Sequence, residues 1–273
     1  MKRKTFAYPY VAWMLLFILA PMLLIVYYAV TSGGVFTLGN IKKSLDPLYM
    51  QVLLRSVWMA LRATVICLLL GYPVAYLLSR MKKSTAALLS VLFVVPMWMN
   101  FLLRTYAWQV LLDVNGILNG LLSAMNLPAQ RFLYTEGAVM LGMVYNFLPF
   151  MILPIHTVLA KMDASHTEAA SDLGANGIQT FLRVIFPLSL PGVISGITMV
   201  FIPAITTFAI SRLLGGGKFM MYGDLIENQF LLMQDWGTGS ALSFILLILV
   251  LISMVIMRRA ERAAGSERGA QVW

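Results

Sequence analysis

Few residues in this chain can do covalent or metal chemistry. There are two histidines, His156 and His166, one cysteine, Cys67, and eleven carboxylates in 273 residues. No HExxH spacing or cysteine cluster is present, so neither catalytic nor metal-ligating residues are expected. Gly215-Gly216-Gly217-Lys218 has the look of a phosphate loop, but it lacks the GxxxxGK[ST] spacing and Phe219 follows the lysine, so it reads as a glycine-rich turn. The polar residues that do form a pattern lie in 161–192, KMDASHTEAASDLGANGIQTFLRVIFPLSLPG. Ser165 with Glu168 three residues later reads as a capping box. Ala169 and Ala170 extend that helix with almost no side-chain bulk. Gly174 is placed to end it in the left-handed conformation. A second helical run, 178–184, leads to Pro187 and Pro191, which open the next apolar segment. A short helix with a small-residue face suits docking onto another protein, and it equally suits a plain capped connector.

A second set of candidates sits deep in apolar sequence. Pro96-Met97-Trp98-Met99-Asn100 is expected to break its helix near the middle and continues into Arg104-Thr105-Tyr106-Ala107-Trp108. Tyr145-Asn146 precedes Pro149, and Pro154 follows. Proline frees carbonyls that neighbouring helices or a watered cavity must satisfy. Trp98, Asn100, Tyr106, Trp108, Tyr145 and Asn146 are therefore candidates for lining a translocation path. Interfacial packing is the competing reading, and it suits Tyr106 and Trp108 best.

The elements that position these residues follow from composition. The chain is 60% hydrophobic and 11% charged, with a mean hydropathy of +0.83; soluble domains carry about 25% charged residues. The expected class is an all-α integral membrane protein forming a single transmembrane domain over 1–273. Six runs reach the roughly 20 apolar residues that a spanning helix needs: about 10–31, 52–78, 86–112, 137–160, 188–211 and 239–257. The first is too long for a signal-peptide core and lacks a cleavage pattern, so it is expected to be retained. Cys67, alone in an apolar run, is expected to be a small buried residue.

The net charge of +9 does not point to nucleic acid, because the basic residues cluster at span ends. With the N-terminus inside, twelve of the 20 Lys and Arg lie on the inner side (Lys2, Arg3, Lys4, Arg80, Lys82, Lys83, Lys161, Arg183, Arg258, Arg259, Arg262, Arg268). Six lie outside (Lys42, Lys43, Arg55, Arg131, Arg212, Lys218), and Arg62 and Arg104 fall within apolar runs. The bias predicts both termini, and the 161–192 stretch, in the cytoplasm. Arg62 and Arg104 both lie near the outer ends of their runs and are expected to snorkel to the headgroups. No Asp or Glu falls near the middle of a span, which argues against a proton-relay transporter.

With that topology the polar stretch resembles the EAA loop of ABC-importer permeases: EAA, three residues, Gly, nine residues, then I-x-L-P. Glu168-Ala169-Ala170, Gly174 and Val184-Ile185-Phe186-Pro187 keep the spacing, with Val for Ile and Phe for Leu. The resemblance implies the type I (MetI-like) permease fold, with 161–187 as a cytoplasmic coupling loop seated on a separate ATPase. The coupling residues it implies are Ser165, Glu168, Ala169, Ala170, Asp172, Leu173, Gly174 and Pro187.

Further stretches are similar to the B-type permeases of spermidine/putrescine importers: Leu45-Asp46-Pro47-Leu48-Tyr49, Leu70-Gly71-Tyr72-Pro73, the Pro96–Asn100 and Arg104–Tyr106 runs, Tyr145-Asn146-Phe147-Leu148-Pro149-Phe150, and Gln229-Phe230-Leu231 with Asp235-Trp236. This implies a prokaryotic cell-membrane protein in a heterodimer with a second permease. It also implies a cytoplasmic ATPase dimer carrying ATP and Mg, an extracytoplasmic polyamine-binding protein, and no cofactor on this chain. An importer permease for another solute is the alternative, followed by an ATP-independent channel or secondary transporter.

Overall fold

The computed structural model describes residues 8–270. Lys2, Arg3, Lys4 and the Arg268 side chain, used above for topology, lie outside what it describes. Five helices are long and apolar enough to cross a membrane, and one bent pair makes a sixth. The first span comprises α1 (Tyr8–Met14), a π-helical turn (Leu15–Leu19) and α2 (Ala20–Val30). Two paired two-residue strands follow, β1 (Thr31–Ser32) and β2 (Val35–Phe36). Among the described residues they are the one departure from an all-α fold, and they form because Gly33 and Gly34 both take the positive φ of a tight hairpin turn. α3 (Gly39–Ser44) leads to α4 (Pro47–Arg80), where Asp46 accepts from the Leu48 N–H at 2.9 Å and Pro47 fills the first turn.

The third span is where expectation and structure part. It is not one helix over 86–112 but α5 (Lys83–Trp98) and α6 (Phe101–Leu112), with a bend of 91° between Lys83–Trp98 and the Phe101–Ala124 stretch that α6 begins. The break falls three residues after Pro96. There Asn100 turns its side chain onto the Leu102 N–H at 2.8 Å and starts α6 as an N-cap. α7 (Ile117–Ala124) follows. α8 (Glu136–Leu159), capped by Thr135, is the most buried span. The polar segment holds α9 (Ala164–Asp172) and α10 (Gly177–Thr180).

α10 does not stop before Pro187, as the sequence suggested. It runs through a π-helical turn (Phe181–Ile185) into α11 (Phe186–Thr206) as one 30-residue helix. The wider turn loosens the helix where proline lacks its N–H and its ring would strike the carbonyl four residues back. α12 (Ala209–Gly215) and α13 (Tyr222–Leu231) form the last connection, and α14 (Trp236–Ala270) is the last span.

α4, α8 and α11 pack on one another as the core, and α14 packs on α11 and on α2. Met143, Met151, Ile152, Ile155, Val200 and Ile205 are fully buried there, and Cys67 is buried as expected. Glycines set how closely α11 approaches α8. A Cβ on Gly192 would lie 2.9 Å from the Pro154 carbonyl oxygen, and one on Gly196 would lie 2.8 Å from Met151 Sδ. This is the small-xxx-small contact by which membrane helices gain van der Waals packing in place of hydrophobic drive. Buried and half-buried hydroxyls turn back onto their own helices: Thr64 to the Ala60 carbonyl at 2.7 Å and Thr198 to the Ile194 carbonyl at 2.8 Å. That is the local solution where no water is at hand. At the other end of the bundle from α9, ion pairs tie connections together: Lys43–Asp235 at 2.8 Å, Arg62–Glu136 at 2.6 Å and Arg212–Glu227 at 2.7 Å.

Gly192→Leu should separate α8 from α11 and destabilise the chain by about 1–3 kcal/mol. Gly120→Ala, whose added Cβ meets nothing within 4 Å, should be neutral or slightly stabilising. Thermal melting of the detergent-solubilised chain distinguishes these outcomes.

Candidate functional site

The coupling candidate is built on α9. Its N-cap is Asp163, not Ser165: Asp163 Oδ1 accepts from the Ser165 N–H at 3.0 Å. Those hydrogen bonds hold the Asp163 carboxyl below its ordinary range. The helix therefore begins two residues before the expected cap, and Ser165 and Glu168 make no capping box. The reciprocal box lies instead at the start of α10, where Asn176 and Gln179 exchange bonds of 2.9 and 3.0 Å. At the other end of α9 the expectation holds. Gly174 has φ +78°, its N–H reaches the Ser171 carbonyl at 2.9 Å, and the Ala175 N–H reaches the Ala170 carbonyl at 3.0 Å. This paired closure needs the left-handed residue between its two bonds.

The result is a stiff two-helix element with a divided surface. Ala170 is buried, while Ser165, Glu168, Ala169, Asp172 and Gly174 are exposed, and Leu173 is 88% exposed. A leucine bared on a polar segment outside the spans is an unsatisfied contact. Beside it an open groove of about 730 Å³ runs between α9 and the entry to α11, lined by Val158, Met162, Ala169, Leu173, Val184 and Pro187. Lys161, His166 and Arg183 add basic groups to it.

The contacts that tie this element to the spans were not anticipated. Phe181 sets its ring edge-on to Tyr72 and to Tyr76 of α4, each at 5.7 Å. Tyr72 also shares a buried 2.8 Å hydrogen bond with Ser189 of α11. Arg80, in the last turn of α4, lies 5.2 Å over the Tyr76 ring. Tyr72 lies in the Leu70–Pro73 stretch noted above, and Tyr76 stands four residues on along the same helix face, a spacing that could have singled out the pair.

The path candidates are only partly brought together. Trp108 and Tyr145 meet edge to face at 5.4 Å. Trp98 is 80% exposed on the lip of the break, Tyr106 is also exposed, and Asn100 is engaged as the cap of α6. Asn146 departs from the expectation of a lining residue: it is 2% exposed, its Nδ2 donating to the Gly142 carbonyl at 2.9 Å inside the helix packing. Arg62 pairs with Glu136 at the first turn of α8, in keeping with an end-of-span position. Arg104 does not snorkel; it is 9% exposed, because α6 turns away at the break and lays that residue against its neighbours.

Residues 67–265 match the family described as "Binding-protein-dependent transport system inner membrane component". The chain belongs to this family. It is 40% identical over 262 residues to the spermidine/putrescine transport system permease protein PotB of Escherichia coli, covering 92% of this chain and 95% of that one. It is 41% identical over 260 residues to PotB of Haemophilus influenzae, covering 92% and 91%. A chain of a bacterial ABC transporter involved in the import of the acidic polysaccharide alginate superposes with a TM-score of 0.76 at 15% identity, covering 96% of this chain and 94% of that one. That likeness is one of fold, the type I importer-permease architecture.

For a transport component of this family the connection between the last two spans is a second place of interest. Asp224, on α13, is buried. Its Oδ2 accepts from Ser211 Oγ–H at 2.5 Å and from the Met221 N–H at 2.8 Å, joining α12 to α13. The Tyr222 N–H donates to Ser56 Oγ of α4 at 2.8 Å. Burial pushes the Asp224 carboxyl up to about 6 from an ordinary 3.8, against the lowering pull of those two hydrogen bonds. A carboxyl raised on folding keeps a proton that the unfolded chain releases, so its contribution is present below pH 3.8 and lost as pH rises to about 6. Asp224→Asn should remove that component. Between pH 4 and 6.5 the wild type should lose stability relative to the variant, by on the order of 2 kcal/mol, in melts of the chain in nanodiscs.

Proposed function

We propose that this chain is the permease subunit of an ATP-driven importer of polyamines, spermidine or putrescine. The observation that carries the reading is the 40% identity to a spermidine/putrescine permease across 92% of the chain. In this reading the 161–187 segment lies in the cytoplasm with both termini, as the twelve-to-six distribution of Lys and Arg favours. α9 seats in a groove of a cytoplasmic ATPase dimer, which binds ATP and Mg. A second, related permease completes the path, and an extracytoplasmic binding protein delivers the polyamine.

Three features suit α9 to that role. Ala169 allows close approach, Leu173 offers an apolar contact, and Glu168 offers a charge. The helix that continues from α10 through the π-helical turn into α11 joins the α9 segment directly to a span, so that a push on α9 moves that span. Phe181, Tyr72 and Ser189 extend that movement to α4. Trp98, Tyr106, Trp108 and Tyr145 offer aromatic faces to a passing ammonium. Brief contact of this kind fits an importer whose specificity resides in its binding protein.

A second reading, an importer of another solute, is favoured by one observation. None of the spans carries a carboxylate near its middle to hold a polycation. ATPase stimulation in the reconstituted complex separates the two. Binding protein plus spermidine or putrescine should raise hydrolysis. Stimulation by a different solute and by neither polyamine would remove the substrate and leave the permease.

Glu168→Ala and Gly174→Val should each lower polyamine-stimulated transport by about tenfold while insertion stays normal. The first removes a contact with the ATPase, and the second puts a β-branched residue at φ +78°. Unchanged transport in both would exclude α9 as the coupling element.

A further inference from the structure

Arg104 is a charge that the chain itself does not explain. It lies one turn into α6, 9% exposed, and its Nε is buried without a hydrogen-bond partner. It takes part in none of the three ion pairs among the described residues. The elements packed most against α6 are α7, α8 and α12. α7 carries no charged residue. On α8, Glu136 is bound to Arg62, and His156 lies in the last turn. On α12, Arg212 is bound to Glu227, and Asp224 answers Ser211 and Met221. Asp113, just past the end of α6, accepts from the Asn115 N–H. None of these carboxylates meets the Arg104 guanidinium among the described residues. A guanidinium does not shed its proton to escape burial, and a buried charge without a counter-charge is strongly unfavourable. Arg104 thus stands with its Nε buried and no anion of this chain against it among the described residues.

The surroundings say where an anion would come from. Around the 91° break, Trp98, Met99, Leu103 and Tyr106, which flank Arg104 in the chain, are exposed. They form an apolar face interrupted by one buried cation. Lipid tails would cover the apolar part and leave the charge unanswered. A protein surface with one carboxylate set in apolar residues answers both.

We propose that Arg104 pairs with an aspartate or glutamate of the second permease subunit, and that this pair joins the two subunits at the broken third span. The proposal rests on the two-permease reading above. The guanidinium fork favours a bidentate carboxylate contact. Such a pair also neutralises the one cation that would otherwise repel a polyamine passing the Trp98–Tyr106 face. Arg104 is thus a positioning residue, acting through the carboxylate it holds.

The test uses the complete complex, co-expressed with the second permease and the ATPase. Arg104→Glu should reduce co-purification of the second permease by about tenfold or more, Arg104→Lys should keep most of it, and the chain expressed alone should melt as the wild type does in both. Changing each acidic residue of the second permease to lysine in the Arg104→Glu background should restore assembly at one position. The proposal is overturned if Arg104→Glu assembles normally. It is also overturned if the loss is mimicked by removing anionic phospholipid and no partner substitution restores it, which would make a lipid headgroup the ligand. A matching loss of stability in the chain expressed alone would place the role inside this subunit and overturn it too. If the wild type itself does not co-purify with a second permease, the two-subunit reading fails instead, and the two failures are told apart.

Discussion

The unbroken helix from Gly177 to Thr206, seated on α8 through Gly192 and Gly196, is the constraint on which the rest of the molecule depends. Its first turns belong to the polar segment and its last turns to the opposite side of the bundle. The contact at Gly192 admits no Cβ without displacing backbone, so α8 and α11 can hardly slide without moving as a pair. Both ends of the α9–α10 element are thereby held, one by α8 leading in and the other by α11 leading out. α9 is small and exposed, but it is not loose.

That geometry explains why caps matter more here than in an ordinary connector. Asp163 and the Gly174 closure satisfy the orphan groups at both ends of a nine-residue helix, too short to be stable alone. The Asn176–Gln179 box then restarts the chain in a fixed direction. The aromatic group of Tyr72, Tyr76 and Phe181 ties the segment sideways to α4. At the far end Ser56, Ser211 and Asp224 hold α12 and α13 to each other and to the same α4, so one helix touches both functional ends.

Much of this was legible in the residues. The spans are long apolar runs with Lys and Arg at their ends, and the bilayer leaves such runs little choice but helix. The α9 segment was legible because Glu168, the two alanines and Gly174 stand at a definite spacing, and Gly174 does take the left-handed turn. Less was legible at boundaries. Ser165–Glu168 and Asn176–Gln179 are both capping-box patterns, and pattern alone does not rank them; Asp163 displaced the first by capping two residues earlier. Pro96 promised a break but not its position, which Asn100 set by offering a side-chain acceptor. Pro187 promised a helix start, and a π-helical turn absorbed it instead.

By itself the sequence determined the class of molecule and the location of the short capped helix α9, since each rests on local composition or short-range spacing. Only the tertiary structure decided which residues meet across the bundle. Phe181 reaches Tyr72 over more than a hundred residues of chain, and Ser211 finds Asp224 across a glycine turn. Arg104 is buried because α6 turns through a right angle. In the sequence it is an arginine near the end of an apolar run, free to reach water. In the fold the one carboxylate on the three helices packed most against α6, Glu136 of α8, is bound to Arg62, and the difference is one of packing, which no local spacing encodes.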